Sequence, residues 1–117
     1  MGIVTGVAMT AAAGWVLVVA LLYATQRSIL FVPDTSRPDP AATEAAMMAR
    51  VTAATADGLE LEGWWHPPVT GRPTVLYFHG NGGNIAGRDD KARRLIERGY
   101  DVLLAGYRGY GGNPGSP

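Results

Sequence analysis

The residues best suited to chemistry form a glycine-rich turn, residues 79–84 (HGNGGN). The turn follows an apolar run, residues 74–78 (TVLYF), whose continuity is typical of a strand buried on both faces. A second apolar run, residues 100–105 (YDVLLA), comes later, and the helical pattern between them places on one side the apolar residues Ile85, Ala92, Leu95 and Ile96. The sequence therefore predicts a strand, turn, helix and strand, which form a right-handed βαβ crossover in a parallel sheet.

Two nucleotide-binding motifs also place glycines at a strand-to-helix turn, and this turn departs from both. A P-loop needs G-x-x-x-x-G-K-[ST], but Arg88 and Asp89 stand where lysine and a hydroxyl residue are required. A dinucleotide loop needs a third glycine where Ile85 stands, and an acid at the end of the next strand, whereas Asp101 lies at its start. These departures disfavour a nucleotide-binding module.

Two interpretations of the turn remain open. In the first, it is an oxyanion loop, whose glycines bring backbone N–H groups close to a substrate and stabilise charge that develops in the transition state. In the second, the glycines only make a tight turn between the strand and the helix.

The composition excludes several other kinds of function. Lysine and arginine number 10, and aspartate and glutamate also 10, so the net charge of +0 argues against a polybasic nucleic-acid binder. There is no cysteine, hence no disulfide, no thiolate nucleophile and no cysteine zinc site. With only His66 and His79, a site with three histidine ligands is impossible, and we expect no metal. His66 is expected to be an ordinary histidine at the surface or at a strand end.

The first segment, residues 2–24, contains no charged residue and predicts a single-pass membrane anchor, because a helix of this length covers about 30 Å or more. A cleavable signal peptide and a buried core helix are the alternatives. No lysine or arginine precedes the run, and residues 22–24 (LYA) make a poor cleavage site. Arg27 favours a cytoplasmic C-terminal part, which Asp34 and Asp39 oppose, so the side of the membrane stays open.

The rest of the sequence predicts a linker followed by one folded domain. Residues 33–40 (PDTSRPDP) are rich in proline and predict an extended or turning connector. Residues 50–65 predict an antiparallel hairpin around Asp57-Gly58, whose Trp64 and Trp65 point to opposite faces. We therefore expect an anchor with its flank at 1–31, a Pro-rich linker at 32–47 and a folded domain at 48–117.

Three segments together resemble the N-terminal half of the Bem46-like branch of the α/β-hydrolase superfamily, namely GLELEGWWHPP (58–68), PTVLYFHGNGGNIAGR (73–88) and ERGYDVLLAGYRGYGGNPGSP (97–117). The resemblance covers about residues 48–117, and its motifs at 79–84 and 106–115 are specific in combination. It implies the N-terminal portion of an α/β-hydrolase fold, a β-hairpin plus a parallel βαβ unit behind a transmembrane helix. It also implies a membrane-anchored serine hydrolase that splits an ester, thioester or amide without a cofactor.

The resemblance also implies roles for individual residues. The backbone N–H of Asn81 would be the oxyanion donor, with Gly82 shaping the loop and Gly80 permitting the turn. His79 would be structural, because the triad histidine follows the serine and the acid in chain order. Tyr107-Arg108-Gly109 would form the loop after the second strand, with Arg108 as a structural hydrogen-bonding residue rather than a substrate clamp.

The catalytic serine motif G-x-S-x-G is absent, because none of Ser28, Ser36 and Ser116 has glycines at both flanking positions. We expect the nucleophile, the acid and the base to lie beyond residue 117, so that this chain is a truncated copy and inactive alone. Its partners would be the lipid bilayer and, once the chain is completed by downstream sequence, a small-molecule or acyl substrate, but no nucleic acid. The alternative is a non-catalytic, membrane-tethered binding or regulatory fragment.

Overall fold

The N-terminal unit is a single long helix. The computed structural model describes residues 1–117 and divides them into Met1–Leu30 and Phe31–Pro117. Helix α1 spans Gly2–Leu30 and buries none of its side chains. It continues past Ala24, the last residue of the predicted anchor, because Gln26 and Arg27 are good helix formers. By length and composition α1 can cross a membrane, and a signal sequence near the N-terminus would meet the same two criteria.

The second unit consists of a mixed sheet, one α-helix, two short 3₁₀ helices at Pro40–Ala42 and Ile85–Arg88, and a pair of very short strands. Its elements are β1 Val32–Pro33, β2 Ala49–Ala54, β3 Glu60–Trp65, β4 Thr74–Phe78, β5 Gly82–Gly83, α2 Asp89–Glu97 and β6 Asp101–Ala105. The main sheet has the order β2-β3-β6-β4, in which β4 and β6 are parallel and the other neighbours antiparallel. Strands β1 and β5 pair with each other in parallel.

The predicted hairpin and crossover are both confirmed. Strands β2 and β3 pair over their full length, and Gly58 takes the positive φ of 83° that the connecting turn requires. Helix α2 lies between β4 and β6 and ends at Glu97, and Gly99 just after it has a φ of 90°. Trp64 is fully buried in a core that also contains Ala45, Met48, Ile85, Ala92, Val102 and Leu104. Trp65, on the opposite face of β3, is only partly buried.

The expectation that residues 74–78 form a strand buried on both faces is wrong for this chain. Strand β4 lies at the edge of the sheet, and its burial alternates. Val75 and Tyr77 are partly buried on one face, whereas Leu76 and Phe78 are 53% and 60% exposed on the other. The reason is that no other element of the chain packs on that second face.

The segment that we expected to be a linker is packed into the folded unit. Strand β1 pairs with Gly82 and Gly83, and the Arg37 guanidinium lies 2.6 Å from the Glu62 carboxylate. Further along, Ala45 is completely buried in the core. The prolines at 33–40 shape an extended path, but that path runs along the domain surface and is held there by backbone and ionic contacts.

Candidate functional site

The glycine-rich turn lies at the carboxyl-terminal edge of the sheet. Strand β4 ends at Phe78 opposite Ala105 of β6, so the loops that follow these parallel strands start side by side. The first loop, residues 79–84, is called the glycine loop below. The second loop comprises residues 106–117 and contains the YRGYGG motif. The edge where parallel strands end is the usual position of ligand sites in open α/β sheets.

The carbonyl groups of the glycine loop accept hydrogen bonds from the second loop. The Tyr107 hydroxyl donates to the His79 carbonyl at 2.7 Å, and the Tyr110 hydroxyl donates to the Asn81 carbonyl at 2.8 Å. In a trans peptide the C=O and the next N–H point in opposite directions. These bonds therefore direct the N–H groups of Gly80 and Gly82 away from the two tyrosine hydroxyls.

The peptide that carries the expected donor is held by the His79 side chain. Its Nδ1 lies 2.8 Å from the Gly80 carbonyl oxygen and donates to it in the tautomer with the proton on Nδ1. This bond fixes the orientation of the peptide between Gly80 and Asn81, and hence of the Asn81 N–H. The predicted oxyanion donor thus belongs to a peptide unit whose carbonyl is already engaged.

The His79 ring is packed between the two tyrosines. It stacks on Tyr107 with centroids 4.2 Å apart and meets Tyr110 edge-on at 5.1 Å. Only 5% of His79 is exposed, and burial lowers the pKa of its imidazole, with the nearby Arg88 charge acting in the same direction. For the Tyr107 hydroxyl, whose charged form is the anion, burial has the opposite effect and raises the pKa. Both groups are therefore neutral near pH 7, and His79 shapes the loop as a neutral ring.

An open apolar cleft of about 600 Å³ adjoins the glycine loop. Its walls include the aromatic rings of Phe31, Phe78, Tyr107 and Tyr110 together with Leu61, and its polar edge includes Gly80 and Asn81. A ligand with an apolar body and one polar group fits such a cleft, because a few fixed polar groups then orient an otherwise hydrophobic molecule.

Arg108 borders the cleft, but its guanidinium binds a carboxylate of the β2–β3 turn. Its guanidinium forms two hydrogen bonds of 2.6 Å with the Asp57 carboxylate in the β2–β3 turn. This bidentate contact holds the pKa of Asp57 well below its usual range. The next residue, Gly109, has a φ of 73°, which lets the second loop turn back along itself. Arg108 thus ties the second loop to the hairpin.

The remaining titratable and hydroxyl groups do not form a catalytic set. His66 is a partly buried strand-end residue rather than a surface one, with Nδ1 3.4 Å from the fully buried Asp101 carboxylate. That pair lies at the opposite end of β6 from the glycine loop. Ser116 borders the cleft, whereas Ser36 donates its hydroxyl to Asp34. No three acidic or histidine side chains converge in a way that could hold a metal ion.

Two features of the site were not predicted from the sequence. One is β1, which lies against the glycine loop. The other is Asn113, whose side-chain amide bonds both the N–H and the C=O of Glu62. A sequence of only two residues, Val32 and Pro33, is too short to indicate a strand. An asparagine within GGNPG indicates only a turn.

Comparison with known proteins agrees with this architecture. The chain is similar to an uncharacterised protein of Mycobacterium tuberculosis, Rv2307c, with 39% identity over 103 residues, 86% of this chain and 36% of the relative. It is similar to the α/β-hydrolase domain-containing protein WAV2 of Arabidopsis thaliana, with 34% identity over 85% of this chain and 35% of the relative. It is also similar to the protein bem46 of Schizosaccharomyces pombe, with 47% identity over 47 residues, 39% of this chain and 16% of the relative. No family model matches the chain.

Among solved structures, an esterase of Pyrococcus furiosus superposes with a TM-score of 0.56 at 24% identity. The superposition covers 74% of this chain and 34% of the esterase, and at this identity it shows the fold alone. The fold is the N-terminal part of an α/β-hydrolase fold. Over that part, the chain is related to the Bem46-like α/β-hydrolases, and it spans about a third of the length of the first two relatives above.

Proposed function

We propose that the chain contributes the oxyanion loop and one wall of the acyl pocket to a membrane-anchored serine hydrolase of esters, thioesters or amides. The observation that carries this proposal is the tethering of the glycine loop. The carbonyls of His79, Gly80 and Asn81 are each engaged by a defined side chain or backbone group, so the intervening N–H groups have fixed directions. Pre-oriented N–H donors stabilise developing negative charge, and removing one such donor costs about 10²–10³ in kcat.

The test uses a form of the protein that continues into the coding sequence after residue 117, because the chain spans only about a third of the length of its relatives. That form should react with a fluorophosphonate probe at a serine in G-x-S-x-G. In its Asn81→Pro variant, which lacks the N–H, the rate should fall about 10²- to 10³-fold. Asn81→Ala keeps the N–H and is the matched control, with a rate close to that of the parent. Equal rates for the two variants would refute the role of Asn81.

A non-catalytic, membrane-tethered binding protein is the second candidate. The observation that favours it is that none of the three serines of the chain lies in G-x-S-x-G. Under the first proposal, the chain of 117 residues should not be labelled by the probe. Labelling of Ser116 would contradict our account of the nucleophile, whereas a reading frame that ends at Pro117 in a stably expressed protein would favour the binding function.

The membrane location is part of the proposal and has its own test. It is supported by the length of α1 and by the exposure of all its apolar side chains. After alkaline carbonate extraction the protein should remain in the membrane fraction. N-terminal sequencing should find residues of α1 still attached. A mature chain that begins after α1 would identify a signal sequence instead.

A further inference from the structure

Strand β1 consists of the residues that follow α1 almost directly in sequence, and its backbone is bonded to the glycine loop. The Val32 N–H donates to the Asn81 carbonyl at 2.9 Å, and the Asp34 N–H donates to the Gly83 carbonyl at 2.9 Å. Between these bonds, Val32 pairs with Gly82 and Pro33 with Gly83. The loop therefore has a two-residue parallel ladder along one side.

The other side of this segment is held by the second loop. The Asp34 carbonyl accepts the Gly111 N–H at 2.8 Å, and the Asp34 carboxylate accepts both the N–H and the hydroxyl of Ser36. Beyond it, the Arg37 side chain lies against Gly112 closely enough that a Cβ at Gly112 would be 2.8 Å from it. Residues 32–37 are thus inserted between the two loops and cannot be displaced without breaking bonds to both.

From this arrangement we infer that β1 is a positioning segment for the oxyanion loop. The Val32 N–H and the Tyr110 hydroxyl together orient the peptide from Asn81 to Gly82, and the Asp34 N–H orients the peptide from Gly83 to Asn84. Glycines have no side chain to restrict them, so a run of them keeps one conformation only if its backbone groups are held externally. The term oxyanion loop rests on the proposed function, but the positioning by β1 does not.

The experiment compares Val32→Pro with Val32→Ala in the full chain, reconstituted in detergent micelles and labelled with ¹⁵N. Proline removes the N–H that reaches Asn81 and is compatible with the extended backbone that already precedes Pro33. Alanine keeps the N–H and removes only side-chain atoms. Amide order parameters of Gly82 and Gly83 should stay near 0.85 in Val32→Ala and fall below about 0.6 in Val32→Pro. Amides of β2, β3 and α2 should be unchanged in both.

Two results would overturn the inference: loop order parameters that remain high in Val32→Pro, or a fall that is equally large in the alanine control. If Val32→Pro does not fold, replacement of Val32 by its α-hydroxy acid removes the same N–H without constraining φ, and the same criteria apply. Failure of the proposed function has a different result: the extended form would not be labelled by the fluorophosphonate probe, while the order parameters of the loop would still fall in Val32→Pro.

Discussion

Asn113 gives the sharpest prediction about what holds the two sides of the site together. Strands β3 and β6 pair only at Trp64–Leu104 and Trp65–Leu103. Beyond that point the Asn113 amide takes the place of a neighbouring strand. Its Oδ1 accepts the Glu62 N–H at 2.7 Å, and its Nδ2 donates to the Glu62 carbonyl at 3.0 Å. Asn113→Ala removes both bonds and leaves two partly buried backbone groups of β3 without partners.

Two neutral hydrogen bonds at about 0.5–1.5 kcal/mol each give an expected loss of about 1–3 kcal/mol in the free energy of unfolding. With a urea dependence of about 1–3 kcal/mol per M, the unfolding midpoint should fall by roughly 1 M. The assay is urea unfolding of the full chain in mild detergent, followed by tryptophan emission. Because α1 carries Trp15, a Trp15→Phe background restricts the signal to Trp64 and Trp65 of β3.

The matched control for this prediction is Glu60→Ala on the same strand. The Glu60 side chain is exposed and makes no hydrogen bond or ion pair, so its removal should change stability by less than about 0.5 kcal/mol. If Asn113→Ala shifts the midpoint no more than Glu60→Ala does, the Asn113 amide does not replace a strand. The second loop would then be held by its tyrosines, by the Arg108 pair and by the bond from the Gly111 N–H to the Asp34 carbonyl.

Three further predictions concern charge and exposure. The pKa of His79 is lower in the folded chain than in the unfolded chain, so between about pH 7 and 5 the unfolded chain binds more protons and the Tm should fall as the pH drops. The His79→Asn variant lacks this group and should not show its contribution to the fall. The pKa of Asp57 is lowered by its bond with Arg108, so this pair stabilises the fold above about pH 4 and the stabilisation is lost on further acidification. The Asp57→Asn variant should therefore have a lower Tm at pH 7 and a smaller decrease in Tm below about pH 4. Leu76→Lys should reduce self-association in sedimentation velocity, because a charge on an edge strand opposes pairing with another copy; an unchanged distribution would exclude β4 as the associating edge.

The hairpin and the βαβ unit were predictable because their signals are local. The turn residues Asp57-Gly58 and Gly99 carry their conformational preference wherever they occur, and the apolar residues of α2 recur with the helical period. The predicted burial of β4 failed for a related reason. An apolar run such as Leu76 to Phe78 shows that a strand needs cover on both faces, but it contains no information about whether this chain provides that cover.

Strand β1 and the Asn113 contact could not be predicted because both act through peptide-like groups. Val32 and Asp34 bond the glycine loop with backbone N–H groups, which every residue except proline has, so no side-chain pattern marks them. The prolines nearby indicated an extended chain correctly, but an extended chain can be a free linker or a bound strand. The side-chain amide of Asn113 bonds Glu62 as a backbone peptide group would, but in the sequence an asparagine at this position predicts only a turn.

The structure also tests the nucleotide-binding alternatives on grounds independent of the motifs. A dinucleotide site would need an acidic side chain directed toward the glycine loop, but the Asp101 carboxylate is fully buried at the far end of β6 and accepts the Val69 N–H at 3.0 Å. A P-loop would need a hydroxyl at position 89, but there the Asp89 carboxylate accepts the Glu44 N–H at 3.1 Å. Both carboxylates are engaged in holding segments of the fold. The side chains of the second loop that bond the glycine loop are instead those of Tyr107 and Tyr110, and tyrosine hydroxyls are part of neither nucleotide-binding motif.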